Sequence, residues 1–212
     1  MANKRGDVFR RYVLPALVVL TRIVVGATFI FSGFVKAVDP IGVSLKIQEY
    51  ILAFGADYFL SFSLFAAIFL GAYEFALGVG LIFGSYRKTT SGFLLLTMLV
   101  LTPVTLYLAL TNPISDCGCF GEAVYLTNWQ TFSKNVVLLL LAFFLLFFNG
   151  RVKGVYHKEI QSLVVYFSLL FSVAVSLFSY YYQPIFDFRP YKVGVSIREA
   201  LTRDVSDDQR FV

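Results

Sequence analysis

Two cysteines separated by a single residue, Cys117-Gly118-Cys119, are the only thiols in the chain and the residues whose types and spacing best suit chemistry. A disulfide needs Cα atoms within about 6.8 Å, which residues two positions apart reach only in a contorted loop. Gly118 is the residue type best able to allow such a loop. A bridge closed so tightly is strained, and strained disulfides are more easily reduced. The pair therefore favours thiol–disulfide exchange over structural stapling, because a bridge spanning one residue removes little loop entropy.

Three other interpretations of this pair stay open: two inert thiols, a structural turn, and half of a metal site. A zinc site is disfavoured because two thiolates and the distant His157 do not supply a tetrahedral ligand set, so no metal site is predicted. The neighbouring Asp116 disfavours the thiolate. Lys134, about one turn into a following helix, would favour the thiolate if its side chain pointed at the loop.

The elements that must position this loop are membrane helices. The chain is 58% hydrophobic and 18% aromatic, with a mean hydropathy of +0.75. Segments of roughly 20 apolar residues can cross about 30 Å of hydrocarbon, and strand alternation is absent from them. The five predicted spans are 14–35, 58–83, 92–110, 129–148 and 160–182. The sequence therefore predicts an all-α integral membrane protein, with a four-helix transmembrane bundle, a fifth transmembrane helix and a short soluble carboxyl-terminal tail.

The distribution of lysine and arginine predicts the orientation of the helices. The amino end, the turn at Arg87 and Lys88, and the turn at 151–158 are rich in positive charge and alternate so as to share one side. By the positive-inside rule that side is cytoplasmic, which places the cysteine loop and the tail on the periplasmic face of a bacterial inner membrane. Disulfides persist on that face. The positive charges are dispersed, so nucleic-acid binding is not predicted.

The chain divides into residues 1–150, the four-helix bundle, residues 151–182, the fifth helix, and residues 183–212, a periplasmic soluble tail. Between the first two spans, residues 37–57 read as a short amphipathic helix at the outer interface, near the cysteine loop. Trp129 opens the fourth span behind a helix-capping sequence. We interpret it as an interfacial aromatic residue, with quinone stacking as the alternative.

Two ionisable residues, Arg22 and Glu74, lie deep in predicted spans. Each is about 12–13 Å from the cytoplasmic end of its span at 1.5 Å per residue, so the two antiparallel helices bring them to matching depth. An unpaired charge there is costly, and an Arg22–Glu74 ion pair is expected. The pair is either a structural clamp or part of a polar site for a quinone headgroup or a proton path.

A single thiol pair on one side of the membrane limits the mechanism. It cannot relay electrons across about 30 Å of bilayer by a disulfide cascade. Electrons must instead pass between a periplasmic partner and a membrane carrier. We expect the carrier to be a quinone rather than a covalently bound cofactor, with a second periplasmic dithiol protein as the alternative.

Two regions of the sequence resemble the DoxX-like membrane proteins and, more closely, their methylamine utilisation protein MauE branch. The first is the run 22–36, RIVVGATFIFSGFVK, with the dipeptides 39–40 and 49–50. The second is the block 116–121, DCGCFG, followed by the tripeptide 129–131 and Asn135. Together these regions cover about the first 150 residues of the chain.

The resemblance implies a four-helix membrane bundle similar to the vitamin K epoxide reductase class of disulfide-forming proteins. It assigns the redox role to Cys117 and Cys119. It also places Arg22, Lys36 and Glu74 as polar residues inside or at the rim of the bundle. Unlike that reductase class, this chain has neither a Cys-x-x-Cys pair nor a second loop pair. Longer relatives carry a thioredoxin-like domain after such a tail, so a partner of that kind would be a separate protein.

The function expected from these observations is that of an inner-membrane thiol–disulfide oxidoreductase-type subunit. It would exchange electrons between a periplasmic thioredoxin-like or disulfide-containing partner and a quinone. The candidate catalytic residues are Cys117 and Cys119, and the candidate quinone or polar site comprises Arg22, Lys36, Glu74 and Trp129. The alternative is a non-enzymatic membrane scaffold or assembly subunit. A transporter is disfavoured because no inverted repeat is evident.

Overall fold

The computed structural model describes residues 9–112, 118–124, 126–152 and 157–182, and these are helical apart from one short strand. In chain order the elements are a π-helical turn (Phe9–Val13), α1 (Leu14–Val38), α2 (Pro40–Ala53), a 3-10 segment (Asp57–Phe62), α3 (Ser63–Phe83), α4 (Arg87–Thr111), β1 (Cys119–Glu122), α5 (Asn128–Phe148), a 3-10 turn (Asn149–Arg151) and α6 (Lys158–Tyr182). Within these ranges five helical segments are long and apolar enough to cross a membrane, containing α1, α3, α4, α5 and α6. The predicted all-α membrane architecture with five spans is confirmed.

The observed helices extend beyond the apolar segments that predicted them. Helix α1 continues to Val38 and so includes Lys36, and α4 begins at Arg87, five residues before the predicted start at Gly92. The second predicted span begins with the 3-10 segment Asp57–Phe62 before α3. Hydropathy marks where a helix is apolar, whereas backbone hydrogen bonding continues through the charged residues at its ends.

Glycines allow α1 and α3 to pack with their backbones close together. A Cβ atom at Gly78 would lie 2.6 Å from the Gly26 carbonyl oxygen, and one at Gly33 would lie 2.7 Å from the Gly71 carbonyl oxygen. Any larger residue at these positions would force the helices apart, as expected where small residues line a membrane helix interface. These contacts fix the antiparallel register of the two helices, which decides what each buried charge can reach.

A second pair, α4 and α5, packs against this one around an apolar core. Its buried members are Val18, Val25, Phe29, Leu77, Leu81, Leu94, Met98, Leu138, Ala142 and Leu145. Helix α5 begins with the capping box expected from its sequence, in which the Thr127 hydroxyl accepts from the Gln130 backbone N–H and the Gln130 side chain accepts from the Thr127 N–H. The box fixes where α5 starts beside the cysteine loop.

Helix α6 lies against α3 and α1 as the fifth span. The face it buries is lined by small hydroxyl residues, Ser168, Ser172, Ser176 and Ser179. Phe171 packs on Phe75 of α3 with ring centroids 5.6 Å apart. Since its contacts are with the outer side of the α1–α3 pair, α6 adds to the four-helix arrangement without entering its centre.

Helix α2 is the short amphipathic helix expected between the first two spans. The Asp39 carboxylate accepts the Gly42 backbone N–H at 3.0 Å at its start, and Gly55 follows its end with a φ of +67°. Apolar residues on its outer side, including Leu45 and Leu52, are exposed, as they would be at a lipid interface. Its Lys46 side chain lies against Gly118, which confirms that this helix borders the described part of the cysteine loop.

Candidate functional site

Cys119 begins β1, a four-residue strand between α4 and α5. Gly118 and Gly121 have φ values of +60° and +55°, a left-handed conformation that favours glycine, and the Gly121 N–H donates to the Gly118 carbonyl at 3.0 Å. Gly118 therefore takes a backbone conformation that other residue types rarely adopt. The other predicted catalytic residue, Cys117, lies outside the described residues.

The backbone of Cys119 is bound directly to α1. Its carbonyl oxygen accepts two hydrogen bonds, one from the Ser32 hydroxyl at 2.6 Å and one from the Lys36 ammonium at 2.7 Å. Ser32 and Lys36 are four residues apart and therefore share one face of α1. Two short hydrogen bonds to one carbonyl, one of them charge-assisted, hold the thiol-bearing residue in a fixed position above the membrane helices.

Lys36 is the centre of this network. Its ammonium donates to Ser32 Oγ, to Glu74 Oε2 and to the Cys119 carbonyl, each at 2.7 Å, which uses all three of its protons. Lys36 and Glu74 are 4% and 5% exposed, so their ion pair is buried. A buried charge is tolerated only when it is paired and hydrogen-bonded, and both conditions are met for Lys36.

The expected Arg22–Glu74 ion pair is wrong. Glu74 pairs with Lys36, whereas the Arg22 guanidinium donates to the carbonyls of Leu81 and Ile82, at 2.9 and 3.2 Å. These carbonyls are in the last turn of α3, where the helix dipole is negative, and the Leu81 carbonyl also accepts the Gly84 N–H at 3.1 Å.

The physical reason is helix register. Helical structure begins at Phe9, before α1 itself, and the glycine contacts set Arg22 level with the last turn of α3. Glu74 is eight residues from Ile82, about 12 Å at 1.5 Å per residue, and so lies out of reach of Arg22. Lys36 lies beside Gly71 of α3, and its long side chain reaches back one turn to Ser32, where its ammonium is 2.7 Å from Glu74 Oε2.

A cavity of about 240 Å³ lies between the helix pairs, next to this network. The polar part of its wall includes Ser32, Lys36, Glu74, Lys134 and Asn135, and Cys119 is also a lining residue. Most of the remaining wall is apolar and comes from α1, α3, α4 and α5, together with residues of α2. The cavity therefore joins the cysteine strand to the interior of the membrane bundle.

Phe120 connects the loop to α5. The Lys134 ammonium lies 4.2 Å from the centroid of the Phe120 ring, which is a cation–π contact. The same ring packs on Phe31 of α1 with centroids 5.5 Å apart. Lys134 thus points toward the cysteine strand, as its sequence position suggested, and lies at the cavity wall.

The structure brings together some of the sequence-predicted site residues and separates others. Lys36, Glu74 and Cys119 line one cavity. Arg22 lies at the other end of α1, and Trp129 is 56% exposed, with its ring against Phe132 and outside the cavity wall. Arg22 and Trp129 therefore do not share the polar site.

Sequence reasoning missed the role of Ser32. Its hydroxyl both accepts from Lys36 and donates to the cysteine strand. The available signal was its spacing of four from Lys36 on a helix that also carries small residues. The sequence did not predict that β1 packs against this face of α1, because a short loop has no hydrophobic periodicity that indicates which helix it contacts.

In the described ranges no group of three or more His, Cys, Asp or Glu residues is arranged to hold a metal ion. His157 is exposed just before α6, in the connection between α5 and α6.

Comparison with known proteins identifies the family. The family model for methylamine utilisation protein MauE matches residues 14–148, which is more than half of the chain and contains α1 to α5 with β1. Neither the search of curated proteins nor the search of solved structures gave a match. The chain belongs to the MauE family. Helix α6 lies beyond the matched residues.

Proposed function

We propose that this MauE family membrane protein performs thiol–disulfide exchange at Cys117-Gly118-Cys119 and passes electrons between a periplasmic partner and a membrane quinone. The observation that supports the proposal most strongly is the attachment of Cys119 to Lys36 and Ser32 at the wall of a cavity inside the bundle. A loop with only a structural role would not need its cysteine at such a cavity. The arrangement offers electrons a short path from a cysteine thiol to a quinone ring bound among the helices.

The chemistry balances with two electrons and two protons. In the oxidising direction, a partner dithiol attacks the Cys117–Cys119 disulfide, and exchange leaves the partner oxidised and both cysteines reduced. Transfer of two electrons and two protons to a quinone gives the quinol and re-forms the disulfide. The same equations run in reverse if the partner is to be reduced.

The dimensions of the cavity suit a ring rather than an entire lipid-soluble quinone. Its volume of about 240 Å³ is below the roughly 300–1,000 Å³ typical of sites for drug-sized ligands. Lys134 and Asn135 supply hydrogen-bond donors at one part of an otherwise mostly apolar wall. The headgroup would lie inside, with its isoprenoid tail extending toward lipid.

The same proposal includes the membrane in which the protein lies, its orientation and its partner. We place it in a bacterial inner membrane with the amino terminus cytoplasmic, and the cysteine loop and tail periplasmic. Its partner is then a separate thioredoxin-like or disulfide-containing periplasmic protein. We also place the family among the DoxX-like proteins and keep the division into a bundle (1–150), a fifth helix (151–182) and a tail (183–212).

The proposal is tested by trapping the redox state of the two cysteines in intact cells. A membrane-impermeant thiol reagent is applied with and without prior reduction, and the variant with both cysteines changed to serine is the control. The proposal predicts labelling only after reduction. Immediate labelling of both thiols, together with unchanged partner binding and activity in the double serine variant, would instead establish the non-enzymatic scaffold.

A further inference from the structure

The cavity beside Cys119 carries more positive than negative charge. Of the described residues in its wall, Lys36, Lys46 and Lys134 are cationic, and Glu74 is the carboxylate. The Lys36–Glu74 ion pair cancels one of these cations, and Lys46 is 3.1 Å from the Glu49 carboxylate outside the cavity wall. Lys134 remains, and the contact described for its ammonium is the Phe120 ring face at 4.2 Å.

An aromatic face does not replace a counter-ion. A cation–π contact contributes roughly 0.5–2 kcal/mol, whereas an anion at hydrogen-bond distance interacts with the full charge. The interaction is stronger here than in water, because most of the cavity wall that includes Lys134 is apolar, with Phe29, Met98 and Leu138 among its residues. With a neutral ligand in this cavity, no carboxylate of the described residues would pair with Lys134, and an anionic ligand would supply an anion.

We propose that the cavity selects the anionic form of a quinone-type ring and that Lys134 is the residue that recognises its negative oxygen. The ring identity rests on the proposed function, while the charge selectivity rests on the lysines of the wall. In the reaction, oxidation of the two thiols releases two electrons and two protons. The quinone takes both electrons and one proton to become a singly charged quinol anion. The second thiol proton leaves to solvent, and the quinol anion takes up a proton from solvent when it is released.

Stabilising this anion favours electron transfer from the thiols, because the charge that develops on the ring meets a fixed ammonium. Lys134 is then a specificity-determining residue for the reduced ligand. Lys36 has a different role, since its three donors are already used by Ser32, Glu74 and the Cys119 carbonyl.

The binding of two matched ligands, one anionic and one neutral, tests the charge selectivity of the cavity without any redox reaction. The probes are 2-hydroxy-1,4-naphthoquinone, an anion at neutral pH, and 2-methoxy-1,4-naphthoquinone, its neutral counterpart. Binding is measured by calorimetry on the full chain in lipid nanodiscs, with both cysteines changed to serine so that the quinones cannot react with the thiols. The variants are Lys134→Gln and the control Lys88→Gln, which removes an exposed lysine at the start of α4.

The parent protein should bind the hydroxy compound about tenfold or more tightly than the methoxy compound, the factor expected for one charge-assisted hydrogen bond. Lys134→Gln should bring the ratio close to one, and Lys88→Gln should leave it unchanged. Equal binding of both probes by the parent, or a preference that survives in Lys134→Gln, overturns the inference and leaves the proposed function standing. Binding of neither probe overturns both the inference and the quinone part of the proposed function.

Discussion

Lys36 has two roles in the structure: it pairs with the buried Glu74 carboxylate, and it holds the Cys119 carbonyl. Replacing Lys36 with methionine removes both interactions. The substitution shortens the side chain by one atom and removes its charge and its three hydrogen bonds, to Ser32, Glu74 and the Cys119 carbonyl. Glu74 is then a buried carboxylate without its cation. Breaking a buried ion pair by removing one partner costs about 3–5 kcal/mol, so Lys36→Met should lower the free energy of unfolding by an amount of this order.

The double variant Lys36→Met, Glu74→Gln is the decisive companion. It removes the orphaned charge, so most of the lost stability should return, as found generally when a whole buried pair is replaced by neutral groups. The Cys119 carbonyl still lacks its charge-assisted hydrogen bond, which is worth roughly 1.5–3 kcal/mol, and keeps the hydrogen bond from the Ser32 hydroxyl. If that bond positions the cysteine for reaction, exchange with a dithiol should stay about tenfold or more below the wild-type rate.

Two assays on the same preparations distinguish these outcomes. Unfolding is followed by circular dichroism during denaturant titration in detergent, and exchange is followed by stopped-flow oxidation of a small dithiol. Recovery of both stability and exchange in the double variant would make Lys36 a structural clamp alone. Wild-type stability and wild-type exchange in Lys36→Met would refute the reasoning about the network as a whole.

Three further substitutions test separate parts of the structure. Gly84→Ala should lower the free energy of unfolding by about 1–3 kcal/mol, because Gly84 has a φ of +68° and a Cβ there would collide with the Arg22 guanidinium. Gly92→Ala is the control, since a Cβ at Gly92 meets nothing within 4 Å, and equal melting temperatures of the two variants would contradict the prediction. Thr127→Ala removes the capping box of α5 and should cost about 1 kcal/mol in the same unfolding assay, whereas no change would mean that the cap does not stabilise the helix. Trp129→Phe should leave naphthoquinone affinity unchanged, because Trp129 lies outside the cavity wall, and a large loss would place the ring site elsewhere.

Features set by local sequence were predictable here. Apolar length predicted all five spans, since a helix that satisfies its own backbone is the simplest way to cross a bilayer. The cap at Thr127 was also evident, because it depends on residues within one turn.

Features set by register were not predictable in the same way. Depth counted from apolar boundaries paired Arg22 with Glu74, whereas the actual register of α1 against α3 pairs Glu74 with Lys36. In that register Glu74 lies eight residues, about 12 Å, from the Ile82 carbonyl that Arg22 binds, and the long Lys36 side chain reaches it instead. The docking of Cys119 on Ser32 depends on loop geometry that hydrophobic periodicity does not record.

Single-turnover reduction of a quinone by the pre-reduced protein tests the central claim most directly. The full chain in nanodiscs is reduced, freed of reductant without oxygen and mixed with excess quinone. Quinol is measured by absorbance and remaining thiols by alkylation, with the double serine variant as the control. The account predicts one quinol formed and two thiols lost per protein molecule, and none in the control. Thiols that stay reduced in the presence of quinone, or quinol formed equally by the double serine variant, would contradict it.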